Sequence, residues 1–387
     1  MWEQDRNTGK SPSFLFFTGG SALRALSSCL ASSNPHSIHI VTTFDSGGST
    51  AEIRRCFAIP AMGDIRNRLL ALADPGKVSP HILDFLQMRL PTTGEPASLL
   101  MELQAMAKQD HPFWSDTEPH DVAFLCHGLQ GILQRLPKHF DLRGASVGNL
   151  LLTSVYLEHG RDFEPMLDCF SHFLHVRGQV LPVVDEALHL GCELEDGSFV
   201  LGQHKFKMLG LRVRRIFLTV HERLLSEKTV CDVCRPPAAK GVSAGIGRAD
   251  VICYPMGSFY SSVLVNLLVR GVGKAIARRN CPKIFIPNLG WDPELGNTSL
   301  VSQTDILLET LRRDAPFADN RDLLHYVLCD PKGDYQGRMD EDCAKRLAQM
   351  GVTLRFVPLT RDGRLHDPLL TIAALEGCLR DYCEHHF

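Results

Sequence analysis

The sequence has no long apolar run and no surplus of charge of one sign. Apolar clusters such as Val263 to Val269 fall well short of the about 18 residues that a membrane-spanning helix needs. The 41 Lys and Arg residues are balanced by 44 Asp and Glu residues, for a formal net charge of −3. We therefore expect no membrane association, and no nucleic-acid partner, because nucleic-acid binding needs a basic surface.

We expect neither a secretory leader nor a disulfide framework. Glu3 and Asp5 stand where a signal peptide would be basic, and no long apolar stretch follows them. The 13 cysteines are odd in number and scattered, and only Cys231 and Cys234 form a CxxC pair. We interpret the cysteines as reduced thiols of a cytoplasmic protein, and the CxxC pair as a local loop feature rather than half of a zinc site.

Several common catalytic motifs are absent. The 17 histidines include no HExxH pattern, so a histidine-based metal site is not indicated. The stretch Gly271-Val272-Gly273-Lys274 lacks the earlier glycine and the following Ser or Thr of a Walker A loop, and no GxGxxG follows an apolar run. An ordinary kinase, GTPase or NAD-dependent dehydrogenase is therefore disfavoured.

What the chain does have is a regular alternation of strand-like and helix-like segments. Short apolar, β-rich runs recur at residues 14–17, 38–42, 249–254, 283–287, 326–329 and 352–357. Helix-like stretches follow the first two runs, over 22–30 and from about 51. This alternation predicts an α/β fold with a mostly parallel, doubly wound sheet.

Two segments depart from that alternation. Residues 75–140 predict a helical insertion, with helices over 81–89 and 98–108. Residues 180–220 alternate apolar and polar side chains around the turn 195–198, which predicts a small antiparallel β-element. We expect residues 1–12 to be a disordered tail and residues 13–387 to form a single domain.

Three turns between a predicted strand and a helix are built from small residues. They are Thr18-Gly19-Gly20-Ser21, Asp45-Ser46-Gly47-Gly48-Ser49 and the segment that starts at Gly257-Ser258. Glycine lets a ligand approach the backbone, and the free N–H groups of a helix start favour an anion. One such turn can be purely structural, but three at the carboxyl ends of parallel strands predict a ligand that carries phosphate.

Two acidic positions accompany these turns. Asp45 could bind Mg²⁺, bind a ribose hydroxyl or cap the next helix, and the sequence leaves these roles open. Asp64 could be an N-cap, with Arg66 and Asn67 in the first helical turn. An arginine at a helix start opposes the helix dipole, so an acidic ligand or partner would explain Arg66 better.

Seven motifs then follow one another in a recognisable order. They are TTFDSGGS (42–49), GDIRN (63–67), SVGNLLL (146–152), VRGQVLP (176–182), ELEDGS (193–198), ADVI (249–252) and GSFYSSVLVNLLV (257–269). With these motifs the chain resembles the CofD-like superfamily. It resembles the YvcK-like branch of that superfamily, the gluconeogenesis factors, more closely than the 2-phospho-L-lactate transferases proper. The resemblance covers about residues 14–310, and residues 75–140 and the C-terminal 75 or so match less well.

The resemblance implies a Rossmann-like fold that binds a nucleotide diphosphate. In the transferase branch the ligand is a guanosine diphospho-lactyl or enolpyruvyl donor, used with Mg²⁺ in coenzyme F420 synthesis. In the YvcK-like branch it is a UDP-sugar such as UDP-N-acetylglucosamine, and the role is regulatory. By position, the resemblance makes Asp45 and Asp64 the catalytic candidates and Asp45 the Mg²⁺ ligand. It assigns nucleotide or phosphate binding to Gly19, Gly20, Ser21, Gly47, Gly48, Ser49, Asn67, Asn149, Gly257, Ser258 and Tyr260.

The chain also departs from the family pattern. The usual Asp-Asp before Gly-Gly is Asp45-Ser46, the usual His before the 146–149 motif is Ala145, and the first loop reads Thr-Gly-Gly-Ser-Ala in place of the usual Gly-Gly-Gly-Thr-Gly. The loss of one carboxylate favours a regulatory protein that binds a nucleotide diphosphate or UDP-sugar, active in carbon or cell-envelope metabolism. A Mg²⁺-dependent transferase is the alternative, and an interaction protein with an empty cleft is a third. A homodimer remains open.

Overall fold

The computed structural model describes residues 11–115, 117–222, 233–336 and 341–386. Its strands, in chain order, are β1 (Phe14–Thr18), β2 (Ile38–Val41), β3 (Gln179–Pro182), β4 (His189–Leu194), β5 (Phe199–Leu201), β6 (Val213–Thr219), β7 (Val233–Cys234), β8 (Val251–Tyr254), β9 (Lys283–Phe285), β10 (Tyr326–Cys329) and β11 (Thr353–Phe356). Most of the predicted tail and Cys231 of the CxxC pair lie outside the described residues.

The main sheet has seven parallel strands in the order β11-β10-β9-β8-β1-β2-β3. From β1 the chain builds outward through β2 to β3 on one side, and later through β8 to β11 on the other. The order therefore reverses between β1 and β8, which is the switch point of a doubly wound sheet. The predicted α/β, Rossmann-like sheet is confirmed.

Helices cover both faces of this sheet. They are α1 (Arg24–Ser33), α2 (Gly48–Phe57), α3 (Gly63–Ala71), α4 (Pro80–Gln87), α5 (Pro96–Met106), α6 (Pro119–Arg135), α7 (Val147–Glu158), α8 (Phe163–Phe173), α9 (Val242–Arg248), α10 (Val265–Leu267), α11 (Val272–Arg278), α12 (Leu300–Arg312), α13 (Asn320–Leu323), α14 (Glu341–Gln349) and α15 (Pro368–His386). Two 3₁₀ segments (Pro112–Trp114 and Gln203–Met208) and a π-helical segment (Phe259–Leu264) complete the description. The helix expected after the Gly257-Ser258 turn is thus a π-helical turn that continues into α10.

The side chains of β1 show why the sheet must be covered on both faces. Phe14 and Phe16 point into one core, shared with α1 and α15, whereas Leu15 and Phe17 point into the other. All four are fully buried, as expected for a central strand of a parallel sheet. The Phe17 ring stacks on the Tyr254 ring of β8 at a centroid distance of 5.7 Å, so the two strands that flank the switch point are packed together.

The connection from β2 to β3 is entirely helical among its described residues and runs through α2 to α8. The predicted helical segment 75–140 contains α4, α5 and α6. Its apolar side chains share one core with those of α3, α7 and α8. Residues 75–140 are therefore part of one large helical layer rather than a separate body.

The predicted antiparallel element is a four-stranded sheet with the order β5-β4-β6-β7. The turn at 195–198 is formed as expected, with Gly197 at φ +83° and the Asp196 carboxylate accepting the Ser198 N–H at 2.9 Å. The predicted boundaries were wrong at both ends. Residues 179–182 are β3 of the main sheet, because they pair in parallel with β2, and β7 lies beyond residue 220.

No helix in the described part of the chain is both long enough and apolar enough to span a bilayer.

Candidate functional site

A cavity of about 370 Å³ lies at the switch point, at the carboxyl ends of β1 and β8. Its walls come from the turn after β1, the turn after β2, the first turn of α3 and the turn after β8. Nine of the predicted site residues line it: Gly19, Gly20, Ser21, Asp45, Gly47, Asp64, Asn67, Gly257 and Ser258. The structure therefore brings residues from four distant motifs into one cavity, at the place where open α/β sheets bind their ligands.

The turn after β1 passes very close to the cavity walls. A β-carbon on Gly20 would lie 2.5 Å from Asp64 Oδ1, and one on Gly19 would lie 2.4 Å from Ser262 Oγ. A larger residue at either position would therefore displace a side chain of the cavity wall. No acceptor among the described residues takes the backbone N–H groups of Gly20, Ser21 or Ala22, so this turn retains donors that an anion could use.

A buried arginine holds that turn in place. Arg68 of α3 is fully buried and donates to Thr18 Oγ1 (2.7 Å) and to the carbonyl oxygens of Gly19 (3.0 Å) and Gly20 (3.4 Å). It also bonds to Ser27 of α1. Burial lowers the pKa of Arg68 to about 10, with Asp64 acting in the opposite direction. The guanidinium stays charged at neutral pH and points the carbonyls of the turn inward, away from the cavity.

The turn after β2 is held in a similar way. Arg54 donates to the carbonyl oxygens of Phe44 (3.3 Å) and Asp45 (2.9 Å). Asp45 Oδ1 accepts the Gly47 N–H at 3.1 Å. The N-cap of α2 is Gly47, which makes no side-chain cap, so Asp45 folds its own turn and does not cap the helix.

Asp64 is a buried acid on the wall of the cavity. It sits in the first turn of α3, whose N-cap is Met62, so it is not the N-cap. Its Oδ2 accepts from Thr42 Oγ1 at 3.4 Å. Burial and, secondarily, the Asp45 carboxylate raise its pKa to about 7, against the opposing charge of Arg68. Two mutually repelling carboxyl groups therefore share one wall of the cavity.

The two carboxyl groups on this wall suit a hard cation. Asp45 and Asp64 supply carboxylate oxygens, and repulsion between them would be relieved by a divalent ion. Among the described residues no cluster of three or more His, Cys, Asp or Glu side chains forms a complete metal cage. Mg²⁺ suits such a partial site, because it is commonly bound by one or two carboxylates together with substrate phosphates.

Arg66 does not face the cavity. It bonds to Ser146, the N-cap of α7, and donates to Asn67 Oδ1 at 2.9 Å. Hydroxyl and amide oxygens thus accept from its guanidinium, and the nearby Asp64 carboxylate is an acidic partner that favours its charge. The contact instead orients the Asn67 amide. Its Nδ2 lies close to the turn after β1, since a β-carbon added to Gly20 would be 3.3 Å from it.

The turn after β8 differs from the prediction. Asp292 Oδ2 accepts the Phe259 N–H at 3.1 Å, and Glu294 Oε2 accepts the Tyr260 and Ser261 N–H groups, both at 3.0 Å. The protein's own carboxylates thus occupy the N–H groups of Phe259, Tyr260 and Ser261, and the Asn288 side-chain oxygen accepts the Gly257 N–H at 2.7 Å. Gly257 and Ser258 form a wall of the cavity, and the Ser258 N–H, like those of the turn after β1, has no acceptor among the described residues.

Four predicted residues do not line the cavity: Gly48, Ser49, Asn149 and Tyr260. Ser49 Oγ accepts the Ser146 N–H at 3.2 Å, and Asn149 Nδ2 donates to Thr50 Oγ1 at 3.4 Å. Both therefore join α2 to α7 behind the turn after β2. Tyr260 is only 2% exposed and packs against Phe259. Tyr260 therefore belongs to the core, and this burial raises the pKa of its hydroxyl to about 12.

The sequence interpretation missed the opposite wall of the cavity. Gln203, His204 and Lys207 line it from the 3₁₀ segment of the antiparallel sheet. His204 Nδ1 lies 3.0 Å from Ser46 Oγ, which links this segment to the turn after β2. Lys207 adds a cation at the edge of an otherwise acidic cavity. No local pattern marks these residues, because only the packing of the small sheet brings them here.

The fold and the cavity define a Rossmann-like α/β protein whose candidate site lies at the switch point of the sheet. The model of the family described as 2-phospho-L-lactate transferase CofD matches residues 15–359. The chain belongs to this CofD family.

Relatives within the family are named gluconeogenesis factors. The chain is 30% identical to the gluconeogenesis factor of Bacillus subtilis (strain 168) over 285 residues, which cover 74% of this chain and 70% of that protein. It is 30% identical to the gluconeogenesis factor of Halalkalibacterium halodurans over 280 residues, covering 72% of this chain and 67% of that protein. The predicted resemblance to the CofD-like superfamily and its YvcK-like branch is confirmed.

A solved structure shares the fold. The crystal structure of a UPF0052 family member from Bacillus halodurans, at 2.60 Å resolution, superposes with a TM-score of 0.65 at 23% identity. The match covers 95% of this chain and 99% of that one, so the shared architecture includes the C-terminal strands and helices.

Proposed function

We propose that the chain binds a nucleotide diphosphate ligand in the switch-point cavity, with a nucleotide sugar such as UDP-N-acetylglucosamine as the favoured class. The observation that carries this proposal is the convergence of the turn after β1, with its free N–H groups, on Asp45, Asp64 and Asn67. The N–H groups suit phosphate oxygens. The amide and carboxyl groups suit the hydroxyl groups of a ribose or a sugar.

Mg²⁺ is part of the proposal. A diphosphate beside Asp45 and Asp64 would meet like charge, and Lys207 alone does not balance it. Asp45 and Asp64 would hold the ion, which when bound would neutralise the diphosphate and fix its orientation. The names of the relatives support a regulatory role in carbon metabolism, in which binding of the ligand is itself the signal.

Thermal unfolding with UDP-N-acetylglucosamine, UDP and GDP, each with and without Mg²⁺, tests this proposal. Ligand at about 100 times its dissociation constant should raise the free energy of unfolding by about 2.7 kcal/mol. We expect Asp45→Asn to abolish the Mg²⁺-dependent part of that gain. Asp305→Asn is the matched control, because Asp305 is exposed on α12 and lines neither this cavity nor a neighbouring one. No stabilisation by any nucleotide would reject the proposal.

A transferase is the second candidate, and the perturbed Asp64 favours it. A carboxyl group with a pKa of about 7 can accept and return a proton at neutral pH. If the chain transfers a phosphoryl-linked group, a guanosine diphospho-lactyl donor should release nucleoside monophosphate only with Mg²⁺ and an acceptor. Release that is lost in Asp64→Asn would favour the enzyme, and tight binding without release would favour the regulatory protein.

A further inference from the structure

The small antiparallel sheet carries an exposed basic segment, residues 205–215. This basic segment begins in the 3₁₀ helix, turns at Gly210 with φ +65°, and ends in β6. Phe206 is fully buried in the core that the small sheet shares with the main sheet. That contact fixes the basic segment to the body of the protein, so its exposed side chains are held in place together.

Two large apolar side chains of the basic segment are left in solvent. Met208 is 77% exposed and Leu211 is 41% exposed, and they stand on either side of Gly210 in the chain. A single exposed apolar side chain is common on soluble proteins. Two within four residues, with cations before and after them, form a surface that suits a binding partner.

The charge of the basic segment is of one sign. From residue 197 to residue 221 the chain has no Asp or Glu and five cations, all of them exposed: Lys205, Lys207, Arg212, Arg214 and Arg215. The last two share one ion-pair partner, Glu193, and the other three form no ion pair with a described carboxylate. Glu195 accepts the Arg212 backbone N–H at 3.5 Å rather than its guanidinium. The basic segment therefore presents uncompensated positive charge around its apolar side chains.

The size and chemistry of this surface favour a lipid membrane over a protein partner. A stable protein interface buries about 800 Å² on each side and has few lysines at its centre. Two apolar side chains separated by a turn do not supply such a centre. An anionic bilayer needs no complementary pocket, because its acyl boundary accepts apolar side chains of any shape and its phosphates attract cations.

We propose that the basic segment docks on an anionic lipid surface. Met208 and Leu211 enter the boundary between headgroups and acyl chains, while Lys205 and Arg212 bind lipid phosphates. This inference goes beyond nucleotide binding and does not depend on it. It replaces the expectation of no membrane association, which rested on the balanced charge of the whole chain and on the lack of a membrane-spanning run.

Sedimentation with lipid vesicles tests the proposal. The full chain, without nucleotide or Mg²⁺, should sediment with vesicles of equal parts phosphatidylglycerol and phosphatidylcholine and stay in solution with phosphatidylcholine alone. Binding should weaken at least about fivefold when salt is raised from about 0.1 M to about 0.5 M, because salt screens the attraction. Lys205→Gln and Arg212→Gln should each weaken binding by about fivefold, the effect of one cation near an anionic surface.

The apolar contribution is tested separately. The double variant Met208→Asp, Leu211→Asp should weaken binding by at least about tenfold, since it removes the inserted apolar surface and adds negative charge. Its matched control is Met101→Asp with Leu369→Asp. These two residues are 67% and 60% exposed, on helices α5 and α15, whose apolar side chains belong to the cores on the other face of the main sheet. The control should bind as the unaltered chain does, and equal unfolding temperatures would show that both proteins fold.

Three results would overturn the proposal. They are equal binding to the two kinds of vesicle, binding that survives in the Met208→Asp, Leu211→Asp protein, and no binding to either kind of vesicle. If the chain binds no vesicle but polyglutamate shifts the Met208 methyl resonance, an acidic protein is the partner and the lipid proposal is wrong. Nucleotide binding is measured without vesicles, so none of these results bears on the proposed function.

Discussion

At the scale of single residues, the cavity is defined by acids that hold their protons more tightly than usual. Burial raises the pKa of Asp64 to about 7, and burial likewise raises the pKa of Glu294 to about 7. Arg68 and Arg54 bear the opposite charge, but their N–H groups donate hydrogen bonds to backbone carbonyls of the turns. The arginines thus shape the cavity, while Asp64 remains available to a ligand, a cation or a proton.

The raised pKa of Asp64 predicts how stability depends on pH. Its usual value is 3.8, so between about pH 4 and 7 the folded protein holds a proton that the unfolded chain has released. The free energy of unfolding is therefore higher at the acidic end of this window. The contribution of Asp64 to it is lost as the pH rises through the pKa that Asp64 has in the folded state. Relative to Asp64→Asn, the unaltered chain should lose about 2 kcal/mol of unfolding free energy between pH 5 and 7.

Urea denaturation at several pH values measures this difference. The isosteric Asn keeps the shape of the side chain and removes its titration, so Glu294 and all other groups cancel in the comparison. If the free energies of unfolding of the two proteins changed with pH in parallel, Asp64 would be ionised throughout this range, which would contradict the prediction. Addition of Mg²⁺ should flatten the profile of the unaltered chain alone, because a bound cation favours the ionised carboxylate.

At the scale of secondary structure, the π-helical segment after β8 depends on remote caps. Its first N–H groups are bound by Asp292 and Glu294, more than 30 residues later in the chain. A helix start buried without acceptors is costly. The carboxylates therefore explain how an apolar segment can begin inside the core, and why the N–H groups of Phe259, Tyr260 and Ser261 are not available to phosphate.

Glu294→Ala should lower the free energy of unfolding by about 2 kcal/mol, because it leaves the Tyr260 and Ser261 N–H groups unpaired in the core. Glu294→Gln should cost less, since the amide oxygen can still accept one bond. Glu309→Ala on the exposed face of α12 is the control and should change stability by less than about 0.5 kcal/mol. Equal stability of Glu294→Ala and Glu309→Ala would contradict the capping role.

At the scale of the whole molecule, the site joins the two sheets. The main sheet supplies the turns after β1, β2 and β8, and the small antiparallel sheet supplies the 203–208 segment that contacts Ser46. A ligand that fills the proposed site would touch both, so its binding energy should hold the two sheets together. The site is thus a property of the assembled fold and not of one βα unit.

Hydrogen exchange followed by mass spectrometry tests this arrangement. UDP-N-acetylglucosamine with Mg²⁺ should slow amide exchange in residues 19–23 and, in the same experiment, in residues 203–208. Helix α8, which does not line the cavity, should be unaffected and serves as the internal control. Protection of residues 19–23 alone would show that the small sheet takes no part in binding.

The sequence by itself determined the parallel strands, the turns after β1 and β2, the hairpin turn at 195–198 and the family. These features are encoded locally, since a strand buried on both faces needs an apolar run and a tight turn needs small residues. Only the tertiary structure decided that Tyr260 lies in the core, that Glu294 occupies the N–H groups after β8, that β3 joins the main sheet and that Lys207 reaches the cavity. Each of these depends on a partner far away in the chain, and packing, rather than local residue pattern, selects that partner.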